Sequence, residues 1–207
     1  MNIDQLTLAL SLQSERNGAL RFLESLVVDV DAQLVGGLAR IISEPTTVED
    51  TNRFASLLVS VGAEPFIAPL IEAISRATLH ESTWLADYMY ALGRLLTDRH
   101  ELYPAEESFV HLLGGWLMST GGGEISWKAG TILAELQHPA TREYLVRGAA
   151  NETLFHRTRI ACVGGLTNQY RDDAATILST LANDPDKRVR DAVADAQRHL
   201  QKGEAEA

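Results

Sequence analysis

Three stretches of nine residues recur at an interval of 31: WKAGTILAE begins at Trp127, TRIACVGGL at Thr158 and VRDAVADAQ at Val189. Each carries a basic residue in second place, Lys128, Arg159 or Arg190. Counted from that residue, small or apolar side chains return at plus three, four and six, and in the middle copy at plus seven as well; Glu135 and Gln197 stand there in the other two. In the middle copy these are Cys162, Val163, Gly165 and Leu166; the first copy has Thr131, Ile132 and Ala134, and the last has Val193, Ala194 and Ala196. Three-and-four spacing describes one buried face of an α-helix, and small residues on it let a second helix come close. The pattern extends upstream into WLADYMYALGRL, where Leu85 leads Tyr88, Met89, Ala91 and Leu92. It is looser in NRFASLLVSVG and RNGALRFLESL. The starts fall near 16, 52, 85, 128, 159 and 190. A self-similar period of this size marks a solenoid, whose units bury their apolar faces only against one another.

Short amphipathic helices are expected between these starts, at 32–42, 65–75, 108–118, 141–150 and 171–182. Pro45, Pro65, Pro104, Pro139 and Pro185 punctuate them, at turns or first helical turns where a missing N–H is tolerated. Pro69, four residues into its segment, predicts a bend or a late helix start. No stretch alternates as a strand would. The spacing therefore predicts an all-α chain forming one domain over 1–207, with about five helix pairs and a terminal capping helix. That last helix has Val189, Val193, Ala196 and Leu200 on one stripe, which suits an element with one neighbour. Residues 203–207 are expected to fray.

With 45% apolar and 22% charged residues the chain reads as an ordinary globular protein, and no apolar run reaches membrane-spanning length. Its start lacks the basic residues of a secretory leader, and Cys162, the lone cysteine, excludes an internal disulfide. A cytoplasmic location is expected. The net charge is −10, with −7 over residues 1–103 and −3 over the rest. Such an acidic balance disfavours nucleic acid and favours a basic partner through electrostatic steering.

DPDKRVRDAVADAQRHL (184–200) resembles the HEAT-repeat signature, in which a turn with Asp and Pro leads through Val-Arg into a small-residue helix. LFHRTRIACVGGLTN and ISWKAGTILAELQ look like two further units. The short bacterial HEAT-like repeats of the phycobilisome-lyase type are the most similar, over residues 14–200. This resemblance implies a right-handed α-α superhelix, with first helices on the convex side and second helices on the concave side. It also implies that Lys128, Arg159 and Arg190 pair with acidic turn residues such as Asp184 and Asp186, rather than forming an anion ladder. It does not imply a shared activity.

The period stretches from 31 to 43 between the units that begin at Leu85 and Lys128. The surplus lies in TDRHELYPAEE (97–107) and STGGGEIS (119–126), the latter expected to be a flexible elbow.

Candidates for chemistry are few. His80-Glu81 and His100-Glu101 invite comparison with iron-binding HEAT-repeat hydroxylases, but stand 20 apart instead of a repeat length. HEAT-like DNA glycosylases need a basic groove with aromatic residues, to which Trp84, Trp127 and Arg147 would contribute. Neither a phosphate loop nor a Gly-x-Ser-x-Gly elbow occurs. The expectation is a non-catalytic module without cofactor or metal, gripping a protein partner. Trp, Tyr and Arg make effective anchors at such a surface. The candidates are Arg76, Tyr103, His111, Trp116, Arg142 and Arg147, with oligomeric state left open. A bacterial immunity protein that sequesters a basic toxin, or an adaptor, fits this reading. A glycosylase- or lyase-type enzyme on the same scaffold is the alternative.

Overall fold

The computed structural model describes residues 3–12, 16, 18–20, 32–62, 64–79, 83–99, 101–119 and 123–205. These residues are predominantly helical, and the chain divides into two compact units, Met1–Arg99 and His100–Ala207. Among the described residues no helix is long and apolar enough to cross a membrane.

In the N-terminal unit α1 (Ile3–Ser11) packs on α2 (Ala32–Ile42). The helix expected at 16–26 falls largely outside the described residues. Arg16 itself is buried, its Nε donating to the Leu10 carbonyl at 3.2 Å and its Nη1 to the Thr47 hydroxyl. α3 (Thr51–Val61) begins at Asp50, whose carboxylate accepts the Arg53 N–H at 3.0 Å, and ends at Gly62, where φ reaches 64°. A 3-10 turn at Glu64–Phe66 precedes α4 (Ile67–Ser75), so Pro69 lies in a first turn, as the late-start reading requires. α5 (Leu85–Thr97) lies against both α3 and α4. Its Leu85, Tyr88, Met89, Ala91 and Leu92 are all buried, as their spacing predicts. Thr51 Oγ1 and Asn52 Nδ2 donate to the Asp87 carboxylate at 2.5 and 3.3 Å, tying one repeat to the next.

The C-terminal unit runs α6 (Glu107–Leu117), α7 (Gly123–Leu133), α8 (Thr141–Ala150), α9 (His156–Gln169), α10 (Arg171–Thr180) and α11 (Lys187–Ala205). α9 sits at its centre, touching α7, α8, α10 and α11. The small residues of the repeat explain how closely it does so. A Cβ added at Gly148 would lie 2.6 Å from Cys162 Sγ, and one at Gly165 would lie 2.8 Å from Ala134 Cβ. Arg159 and the four residues Cys162, Val163, Gly165 and Leu166 are buried together. On α11 the expected stripe is inward, with Val189, Val193 and Leu200 buried.

Three details differ from the sequence reading. Residues 97–107 hold a short strand, β1 (Tyr103–Pro104), paired in parallel with β2 (Leu136–Gln137) in the register Tyr103 to Leu136. Stacked repeats run in the same direction, so equivalent linkers lie side by side and can share backbone hydrogen bonds. The Tyr103 N–H donates to the Glu135 carbonyl at 2.9 Å. Gly123–Ser126, within the elbow expected at 119–126, form the first turn of α7, and 120–122 lie outside the described residues. α11 is helical through Ala205, past the expected start of the tail at 203.

Candidate functional site

The basic residues that head the repeats are engaged internally. Arg159 Nε donates to the Ala149 carbonyl at 2.9 Å and Nη1 to Asp184 Oδ1 at 3.0 Å, while Nη2 takes the other carboxylate oxygen. Burial pushes the Asp184 carboxyl up. Hydrogen bonds from Arg159 and from the Asp186 N–H, with the Arg159 charge, outweigh that and hold it below the usual carboxylate range. Arg190 Nη1 donates to the carbonyls of Asp184 and Pro185 at 2.5 and 3.0 Å, closing the turn before its own helix. The buried Lys128 pairs with Glu124 one turn earlier at 2.7 Å. Pairing with an acid of the adjoining unit thus holds for Arg159, and Lys128 pairs with an acid of its own helix.

The second helix of each pair in this unit carries exposed polar groups. α6 buries Phe109, Val110, Leu113, Trp116 and Leu117 and leaves Glu107 and His111 outward. His111 Nδ1 lies 2.8 Å from the Tyr144 hydroxyl, with the rings edge-on at 5.8 Å, and Nε2 lies 3.3 Å from Glu107. The Tyr144 ring covers Gly114, where any side chain would collide with it. Arg142 Nε and Nη2 stand 3.1 and 2.8 Å from Asp173 Oδ2, joining α8 to α10. Arg147 pairs with Glu143 at 3.2 Å. Exposed pairs of this kind contribute little stability.

The sequence candidates separate accordingly. His111, Arg142 and Arg147 lie on α6 and α8 of the C-terminal unit, and Tyr103 is half-buried in β1 of the same unit. Arg76 belongs to the N-terminal unit, where it ends α4, exposed, 3.8 Å from Glu72 and 3.5 Å from the Ser43 carbonyl. Trp116, at 7% exposure, lies in the core, because its place on α6 falls on the face turned inward. His80, Glu81 and His100 lie outside the described residues. Among the described residues no three His, Cys, Asp or Glu side chains are grouped to hold a metal ion. Burial pushes the Cys162 thiol up to about 12, against the opposing charge of Arg159, so it is not a nucleophile at neutral pH.

Among the described residues, two clefts of the C-terminal unit stand out. One, of about 350 Å³, is lined by Leu102, Gln137, His138, Pro139, Gln169 and Tyr170. Its polar groups are engaged already: Gln169 Nε2 donates to the Leu133 carbonyl at 2.9 Å, and the Thr141 and Tyr170 hydroxyls meet at 2.5 Å. The other, of about 380 Å³, lies at the starts of α7 and α9 between Gly123, Glu124, Trp127, Phe155 and Arg157. Phe155 is 51% exposed there, and the Arg157 guanidinium carbon stands 5.8 Å from the Trp127 ring centre. Sequence reading missed Phe155 and Arg157. The available signal was a bulky apolar residue at a helix N-cap, where short polar residues are preferred.

No protein-family model matches the chain, and no curated protein sequence does. Solved structures do resemble it. An engineered protein aligns at a TM-score of 0.59 and 15% identity over 98% of both chains. A designed armadillo repeat protein aligns at 0.54 and 13%, over 96% of this chain and 100% of the other. Human deoxyhypusine hydroxylase in complex with glycerol aligns at only 0.42 and 16%, over 96% of each chain. At these identities the likeness concerns the fold alone, and it agrees with the helix order: the chain has an all-α repeat-solenoid fold.

Proposed function

We propose that the chain is a non-catalytic protein-binding repeat module, whose partner lies along α6, α8 and α10. The observation that carries this reading is the cross-linking of those helices by outward side chains, His111 to Tyr144 and Arg142 to Asp173. A surface whose side chains are already held loses little freedom on binding, so more of the contact energy is kept as affinity. The HEAT-repeat resemblance supports the same choice, because it assigns second helices to the concave, partner-facing side. His111, Arg142 and Arg147 are the contacts proposed here, with Tyr103 at the rim; Arg76 is the candidate on the N-terminal unit. A net charge of −10 makes a basic partner the one that steering favours, as for an immunity protein that sequesters a basic toxin or for an adaptor. A cytoplasmic location accords with this role.

Affinity capture with the full chain, followed by mass spectrometry and direct binding of the recovered protein, tests the reading. The expected result is a partner whose affinity falls at least tenfold on Arg142→Ala with Arg147→Ala, while the melting temperature holds. Tight, salt-sensitive binding of single- or double-stranded DNA would overturn it in favour of the glycosylase-type alternative. That alternative loses one of its aromatic residues to the core, since Trp84 is buried beside Tyr88, their rings 5.0 Å apart.

A further inference from the structure

The cleft at the starts of α7 and α9 interrupts the repeat in an informative way. Four residues before Lys128, Arg159 and Arg190 stand Glu124, Phe155 and Asp186. Two of the three are acids in use: Glu124 pairs with Lys128 at 2.7 Å, and Asp186 accepts the Arg188 N–H at 2.8 Å. Asp186 also grips the Arg188 side chain, Nε to Oδ1 at 3.0 Å and Nη2 to Oδ2 at 2.7 Å. Arg157 is the repeat equivalent of Arg188, two residues before the basic head. Its acid is missing, because Phe155 occupies that place. Among the described residues Arg157 has no ion pair, and its guanidinium lies over Trp127 instead. Phe155, at the N-cap of α9, makes no side-chain cap hydrogen bond and is half exposed. The middle repeat has thus exchanged an internal cap and ion pair for an open arginine flanked by two aromatic walls.

We propose that this cleft docks a peptide segment of a protein partner that carries an aspartate or glutamate beside an aromatic residue. The incoming carboxylate takes on Arg157 the place that Asp186 takes on Arg188, and the aromatic ring enters between Trp127 and Phe155. An open cleft of about 380 Å³ is large enough for one such side chain. Arginine with aromatic neighbours is also the composition of interface anchors. A carboxylate is favoured over a nucleic-acid phosphate because the same fold already satisfies the equivalent arginine with a carboxylate, and because a chain of −10 repels a polyanionic strand more than a single acidic side chain. Glu124 on the rim does not oppose it with a free charge, since Lys128 holds it. The site is built from other helices than the α6–α8–α10 face, so either can fail without the other.

The test is an NMR titration of the ¹⁵N-labelled full chain with an acetylated and amidated peptide, Gly-Ser-Asp-Phe-Ser-Gly. Two control peptides replace its Asp by Asn and its Phe by Ala. Saturable shifts are expected at the Trp127 indole N–H and the amides of 155–158, with binding roughly tenfold weaker for either control. Arg157→Gln should weaken binding similarly. Phe155→Asp supplies the repeat's own acid, so it should abolish binding while the melting temperature holds or rises with the restored cap. Lack of saturation by the Asp-Phe peptide overturns the proposal, as does equal binding of all three peptides. Unchanged binding to the Phe155→Asp variant, or saturation of these residues by hexathymidylate in place of the peptide, overturns it too.

Discussion

Arg159 and Asp184 form a two-pronged ion pair across 25 residues of chain, with each side chain only 3% exposed. The pair ties α9 to the turn that opens α11, and so places the capping layer. Removing two charges from water offsets most of their attraction. Such a pair therefore specifies register more than it strengthens the fold, yet losing one member strands the other. That asymmetry is measurable.

Arg159→Leu or Asp184→Asn alone should destabilise the protein by roughly 3–5 kcal/mol, and replacing both residues by leucine should cost markedly less. Urea unfolding of the three variants decides between this and simple additivity. The pH dependence has a definite sign. Asp184 is held below its unfolded value, so its stabilisation is fully present above about pH 4 and fades as pH falls through the folded value. The stability gap between the wild type and Asp184→Asn should therefore shrink in acid; a gap constant from pH 7 to pH 3 would contradict the pairing.

Close helix approach predicts that neighbouring glycines respond oppositely to one methyl group. Gly148→Ala and Gly165→Ala meet Cys162 and Ala134 at 2.6 and 2.8 Å and should destabilise by about 1–3 kcal/mol. Gly164→Ala, on the open side of α9 with nothing within 4 Å, should stabilise by about 0.5–1 kcal/mol through helix propensity. Thermal melts of the three variants provide the comparison.

Tyr88 is fully buried, packed beside Phe54 and Trp84, and among the described residues its hydroxyl has no hydrogen-bond partner. Burial pushes its ionisation well above the ordinary tyrosine range, and the Arg16 charge opposes this only partly. Tyr88→Phe removes a stranded polar group without opening a cavity, and should stabilise by about 1 kcal/mol. Calorimetry should find the N-terminal unit's transition raised; a lowered transition would mean that the hydroxyl is satisfied.

Cys162 is buried against Gly148, and its thiol is pushed up to about 12. Iodoacetamide at pH 8 should leave the native protein unlabelled and modify it rapidly in urea. Native labelling as fast as unfolded labelling would place the thiol at the surface.

What the amino-acid order determined by itself is local. Helix spacing is a property of consecutive residues, so periodicity alone located Ala32–Ile42 and Thr141–Ala150 and the apolar stripe of Val189, Val193 and Leu200. The 31-residue recurrence added that these helices must stack, because none can cover its apolar face alone. Tertiary structure decided everything that depends on which helix lies across from which. Trp116 went inward and His111 outward on the same helix because one side of α6 packs into the core, while the other reaches its neighbour only through surface side chains. The Tyr103–Leu136 strand pairing arises only when two linkers are laid side by side. The Trp127–Phe155–Arg157 cleft likewise joins residues about a repeat apart, whose meeting no local spacing encodes.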